Sequence, residues 1–135
     1  MKSSIQTYCT KENLAGIRQF ITKSLARTAL SDIQKNALVL AVDEVCANVI
    51  IHSADCDCKK TLEVFTDVKK HKAIFEVIDK GHGYDLRNHK MPHLKEIIKT
   101  KRKGGVGLLL VQKIMDKIDF IPDTKGNIIR LTKHF

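Results

Sequence analysis

The sequence predicts an α+β fold, a two-layer α/β sandwich with helices packed on one face of a mixed, mostly antiparallel sheet. Three stretches repeat apolar residues at helical spacing, and five short stretches read as strands, in the order βααββ, loop, αββ. The 135 residues are 43% hydrophobic and 29% charged, which is typical of a globular domain. We therefore expect a single domain over residues 1–135.

Each element of the first half has a local signal. Residues 4–9 alternate as a short strand, and Thr10 is the expected N-cap of a helix that continues to about Thr28. Ser31 and Gln34 have the spacing of a capping box, so a second helix is predicted to begin there. At ~20 residues, this helix is expected to be the longest element of the chain.

The second half is predicted to contain two hairpins on either side of a helix. Residues 62–68 and 73–78 form the first hairpin, and a third helix follows the glycines near residue 105. Residues 118–121 and 128–131 form the last hairpin, whose loop is expected to contain Pro122, Gly126 and Asn127.

The segment from Lys80 to Lys103 lacks clear periodicity. It carries eight Lys or Arg residues against two acids, Asp85 and Glu96. We interpret it as a mobile, positively charged loop, with a short helix near residues 94–99 as the alternative.

Composition excludes several classes of protein. No apolar run reaches the ~20 residues that span a bilayer, and the first residues lack the apolar core of a signal peptide, so we expect a cytoplasmic protein without membrane contact. The four cysteines are unevenly placed, so reduced thiols are expected. His52, Cys56 and Cys58 leave a zinc site open as a weak alternative.

The formal charge of +9 indicates an anionic partner, but only 5% of residues are aromatic and no nucleic-acid-binding motif is present.

Three polar residues recur on one edge of the long helix. Glu44, Asn48 and His52 stand four residues apart, which aligns them along the helix. A carboxylate can act as a base, an amide oxygen can ligate a hard metal ion, and an imidazole can donate or accept. A polar edge that only faces water is the alternative reading of this stripe.

Two glycine motifs follow. Asp79, Gly81 and Gly83 form D-x-G-x-G at the end of a strand, where the carboxylate can accept a hydrogen bond from the amine of adenine. Glycines there let the backbone approach a base closely, although the motif is also common in tight turns. Gly104, Gly105, Val106 and Gly107 open a helix, and free N–H groups at a helix start are suited to phosphates. A helix start with permissive glycines and no ligand is the alternative for this motif.

Together these motifs resemble the Bergerat-fold ATP-binding family, which includes gyrase and the histidine kinases. The order E-x-x-x-N, D-x-G-x-G, variable loop and G-x-G-L spans nearly the whole chain. Within the family, the sequence is most similar to the anti-sigma-factor serine/threonine kinases. The three boxes are Glu44 with Asn48, Asp79 with Gly81 and Gly83, and Gly105 with Gly107 and Leu108.

The resemblance implies a cofactor, a reaction and partners. ATP would bind between the boxes, with Mg²⁺ held by Asn48 and with Glu44 as the catalytic base; residues 104–108 would contact the phosphates. His52 is expected to have a supporting or structural role. The substrate would be a Ser or Thr of a STAS-domain antagonist protein, with a sigma factor as a second partner and a homodimer as the assembly. The alternatives are an ATP-binding module that sequesters a partner without turnover and, third, a nucleic-acid-binding protein.

Overall fold

The computed structural model describes residues 1–50, 60–79, 105–123 and 126–135. Within these ranges the chain forms three α-helices and five strands in the order predicted from the sequence. The elements are β1 (Lys2–Tyr8), a 3-10 turn (Lys11–Asn13), α1 (Leu14–Leu25), α2 (Asp32–Asn48), β2 (Thr61–Val68), β3 (Lys72–Asp79), α3 (Gly105–Ile114), β4 (Lys117–Asp123) and β5 (Gly126–His134).

The strands form one sheet in the order β1-β2-β3-β5-β4. Every pairing between the described strands is antiparallel, in agreement with a mostly antiparallel sheet. Alternate residues of β2 and β3 are buried, and α1 and α2 pack against these strands. The hydrophobic core lies between this face and the helices, so the predicted two-layer α+β sandwich is confirmed.

The predicted capping box is confirmed at the start of α2. The backbone N–H of Gln34 donates to Ser31 Oγ at 3.2 Å, and the Ser31 N–H donates to Gln34 Oε1 at 3.0 Å. Two backbone donors at the helix start are thereby satisfied. At 17 residues, α2 is the longest described element, as expected.

The start of the first helix was predicted incorrectly. Thr10 precedes a 3-10 turn instead of an α-helix, and its side chain makes no capping hydrogen bond. The α-helix begins only at Leu14 and ends at Leu25, three residues before the predicted end. The polar residues of the 3-10 turn contribute no buried side chain, so apolar periodicity marks the helix only from Leu14 onward.

Some expectations fall on residues outside the described ranges. These are the basic segment 80–103 with its short helix, and His52, Cys56 and Cys58 of the zinc alternative. Cys9 and Cys46 are buried, and neither is part of a disulfide bond within the described residues. No described helix has the length and apolar content needed to cross a membrane.

Candidate functional site

Two buried polar residues face each other at one end of the sheet. Asp79 ends β3, and its Cα partner across the antiparallel pair is Asn127, the second residue of β5. Directly opposite residues place their side chains on the same face, about 5 Å apart at Cβ. Asp79 is 2% exposed and Asn127 is 6% exposed, so both side chains lie on the buried side of the sheet.

Asn127 is a functional candidate that the sequence analysis missed. Pro122, Gly126 and Asn127 were predicted in a loop, but the structure places Pro122 in β4 and the other two in β5. Gly126 has a φ of 147°, which favours glycine. The side-chain nitrogen of Asn127 is buried without a hydrogen-bond partner in the described part of the chain. Buried donors are almost always satisfied, so an unpartnered amide beside Asp79 points to a ligand.

The C-terminal end of α2 lies at the same end of the sheet. Ile50, just beyond α2, lines a shallow cavity together with Cys9, the residue after β1. The Cys9 N–H donates to the carbonyl oxygen of Lys60 at 2.9 Å, directly before β2 begins. Since Leu62 of β2 pairs with Asp79, the C-terminal end of α2, which carries the candidate residues Glu44 and Asn48, lies at the same end of the sheet as Asp79.

Asn48 is held in an orientation that leaves its oxygen available. Its Nδ2 donates to the carbonyl oxygen of Glu44 at 2.8 Å, and the residue is 4% exposed. Because a carbonyl can only accept, the atom bonded to Glu44 must be the amide nitrogen. The remaining Oδ1 is the type of hard ligand that Mg²⁺ prefers, so the residue fits its predicted role.

Glu44 lies one turn before Asn48 and is only partly buried. Burial raises the pKa of its carboxyl, and the negative charge of Asp43 raises it further. Asp43 is itself fixed by Arg18 of α1, whose Nη1 lies 3.0 Å from Asp43 Oδ1. A carboxylate with a raised pKa is a better proton acceptor than an ordinary glutamate.

The third box forms the start of a helix, as predicted. α3 begins at Gly105 and packs against α2, and Val111 and Met115 near its C-terminal end are buried in the core. Only Met115 and Asp116 separate it from β4, which begins at the end of the sheet away from Asp79. Because α3 ends near this far end and packs against α2, we expect its N-terminal N–H groups to face the Asp79 end, where phosphates are expected.

The structure therefore groups Asp79 and the α2 residues Glu44 and Asn48 at one end of the sheet. The helix α3, whose first residues are 105–108, packs against α2 in the same helix layer. Gly81, Gly83, Gly104 and His52 lie outside the described residues, and their roles stay predictions. The described residues contain no group of three His, Cys, Asp or Glu side chains suited to a metal ion.

Comparison with known proteins shows the family to which the chain belongs. A family model described as a histidine kinase-like ATPase domain matches residues 9–133. A curated protein, the serine-protein kinase RsbW of Oceanobacillus iheyensis, is 25% identical over 101 residues. That match covers 72% of this chain and 63% of the relative's length.

A solved structure supports the fold. The crystal structure of the RsbU and RsbW domains of Rv1364c from Mycobacterium tuberculosis superposes with a TM-score of 0.68 over 99% of this chain and 32% of that chain. The sequence identity is 16%, so the similarity concerns the fold alone. With the family model matching almost the full length and the three boxes in order, the chain belongs to the histidine kinase-like ATPase domain family.

Proposed function

We propose that the protein is an ATP-dependent serine/threonine-protein kinase of the anti-sigma-factor type. It transfers the γ-phosphoryl group of ATP to a Ser or Thr of a STAS-domain antagonist protein and regulates a sigma factor by exchanging partners. The observation that carries this proposal is the placement of Asp79, Asn48 and Glu44 at one end of the sheet.

Asp79 and Asn127 are suited to reading the adenine base. The Asp79 carboxylate accepts from the exocyclic amine, and the unpartnered Asn127 nitrogen donates to a ring nitrogen. Guanine presents a carbonyl oxygen where adenine carries its amine, so the carboxylate would repel it. The pair thus favours ATP over GTP.

Asn48 and α3 are assigned to the phosphates. The Oδ1 of Asn48 would hold Mg²⁺, which neutralises phosphate charge when bound. The first N–H groups of α3 are not paired within the helix and are available to phosphate oxygens. Together, the ion on Asn48 and the N–H groups of α3 would hold the γ-phosphoryl group near Glu44, which lies one turn before Asn48 in α2.

Glu44 is assigned as the general base. Its carboxylate accepts the proton of the substrate hydroxyl while that oxygen forms a bond to the γ-phosphorus. The bond from the γ-phosphorus to the β–γ bridging oxygen breaks, and ADP leaves with the bonding electrons. The raised pKa of Glu44 supports this role, because it makes the ionised group a stronger acceptor.

Phosphoryl transfer is tested with labelled ATP, Mg²⁺ and a STAS-domain protein encoded beside this one. We expect label on a Ser or Thr of the STAS protein with the wild type. Glu44→Ala and Glu44→Gln should keep ATP binding and lose transfer by several orders of magnitude. Glu63→Gln, the same change on the sheet face away from the helices, is the matched control and should transfer normally.

An ATP-gated binding module is the alternative function. It would bind ATP and sequester a partner with no transfer of label, and Glu44 would then be dispensable. The presence of Glu44 beside Asn48, with its raised pKa, favours the enzyme. Near-normal phosphoryl transfer by Glu44→Gln would show that Glu44 is not the general base.

A further inference from the structure

A second cavity lies at the opposite end of the sheet, between the end of α1 and the turn that joins β2 to β3. Its volume is about 370 Å³. The eight residues of β3 begin beside this turn and end at Asp79. At ~3.4 Å per residue, the cavity is about 24 Å from the candidate nucleotide site. The two sites are therefore separate.

Basic side chains from two segments line this cavity, which we call the basic cavity. Arg27 comes from the chain just after α1, and Lys69, Lys70 and His71 come from the β2–β3 turn. All four residues are exposed. One described ion pair involves them, between Lys69 Nζ and Asp67 Oδ2 at 4.0 Å, which is the limit for such a contact. The cavity therefore has an excess of positive charge.

The turn that carries three of these side chains is held in place by backbone hydrogen bonds. The Lys69 N–H donates to the Lys72 carbonyl oxygen at 2.7 Å. The Phe135 N–H donates to the His71 carbonyl oxygen at 2.9 Å, so the residue that follows β5 also anchors the turn. The Val68 N–H donates to the carbonyl oxygen of Met1 at 3.0 Å. A fixed backbone lowers the ordering cost of binding.

The α1 side of the cavity is also fixed. Ser24 Oγ lies 3.3 Å from Thr66 Oγ1, which ties the helix to β2. Thr28 Oγ1 donates to the Leu25 carbonyl oxygen at 2.8 Å and closes the end of the helix. Arg27 is thus presented from a defined position, opposite the lysines of the turn.

The lining also contains apolar surface from Met1, Ala29 and Val68. A volume of this size accommodates an apolar side chain as well as charged groups around it. No Phe, Tyr or Trp lies among the described residues that line the cavity, so they offer no platform for stacking a nucleic-acid base. We propose that the basic cavity is a docking site for an acidic polypeptide segment of a partner protein, with carboxylates on the rim and an apolar side chain inside.

Docking is tested with a fluorescein-labelled peptide of sequence Glu-Leu-Asp-Glu-Leu-Glu, followed by anisotropy. The neutral peptide Gln-Leu-Asn-Gln-Leu-Gln is the ligand control. Lys70→Glu is expected to weaken binding by at least about fivefold. Lys113→Glu, the same change at an exposed position in the last turn of α3, should stay within about twofold. Equal losses in both variants would mean an effect of net charge alone and would overturn the proposal.

Arg27→Glu provides an independent test from the α1 side, because it leaves the turn unchanged. It should weaken peptide binding as Lys70→Glu does, with thermal melts reporting that both variants fold. Wild-type affinity in Arg27→Glu would overturn the proposal, as would a duplex oligonucleotide that displaces the peptide at lower concentration. Saturating ATP should leave the affinity unchanged. Peptide docking and ATP binding are therefore measured separately, and either proposal can fail while the other is supported.

Discussion

Replacing Asp79 by Asn tests the assignment of the base-binding end of the sheet. The carboxylate is 2% exposed, so an adenine amine bonded to it is shielded from water. Hydrogen bonds to charged groups contribute about 1.5–3 kcal/mol, more than neutral ones. Since ~1.4 kcal/mol is tenfold in affinity, Asp79→Asn should weaken ATP binding about 10- to 150-fold.

The assay is isothermal titration calorimetry with Mg-ATP and Mg-GTP. Asp119→Asn is the matched control, because Asp119 lies on β4 with its side chain 33% exposed and paired with Lys117 at 3.8 Å. The control should bind ATP like the wild type. Equal ATP affinity for Asp79→Asn and the wild type, with both proteins folded, would refute the adenine assignment.

Three further substitutions test other parts of the site and the fold. Asn127→Leu should weaken ATP binding about 2- to 12-fold, since a neutral hydrogen bond contributes about 0.5–1.5 kcal/mol. The same substitution should not lower the melting temperature, because the amide nitrogen that it removes has no described partner. Ser31→Ala should lower the free energy of unfolding by about 1 kcal/mol in a urea titration, through loss of the cap on α2. Asp43→Asn should shift the acid limb of the pH–kcat/KM profile to lower pH, because Asp43 raises the pKa of Glu44 and the base works only when ionised. An unshifted acid limb would show that Asp43 does not raise the pKa of Glu44.

Local patterns predicted the elements well. The capping box of Ser31 and Gln34 depends on residues three apart, and the structure forms both of its hydrogen bonds. The alternation of β2 and β3 is likewise a property of adjacent residues, and the hairpin pairs as expected. At Thr10 the local signal failed, because a cap residue does not by itself distinguish a 3-10 turn from an α-helix.

Residues brought together by the sheet were harder to predict. Asn127 follows a glycine, and Gly-Asn between two apolar runs is typical of a turn. Its burial depends on the register between β3 and β5, which are separated by the segment 80–125 and are set opposite each other only in the folded sheet. The partner of Asp79 therefore became visible only in the structure.

We propose that residues from three distant boxes meet around one nucleotide. A crystal structure with Mg²⁺ and a non-hydrolysable ATP analogue would show whether they do. We expect the base against Asp79 and Asn127, the metal on Asn48 Oδ1 and the γ-phosphate between Glu44 and the first N–H groups of α3. A nucleotide bound elsewhere, or Asp79 and Gly105 opening onto different surfaces, would refute this placement.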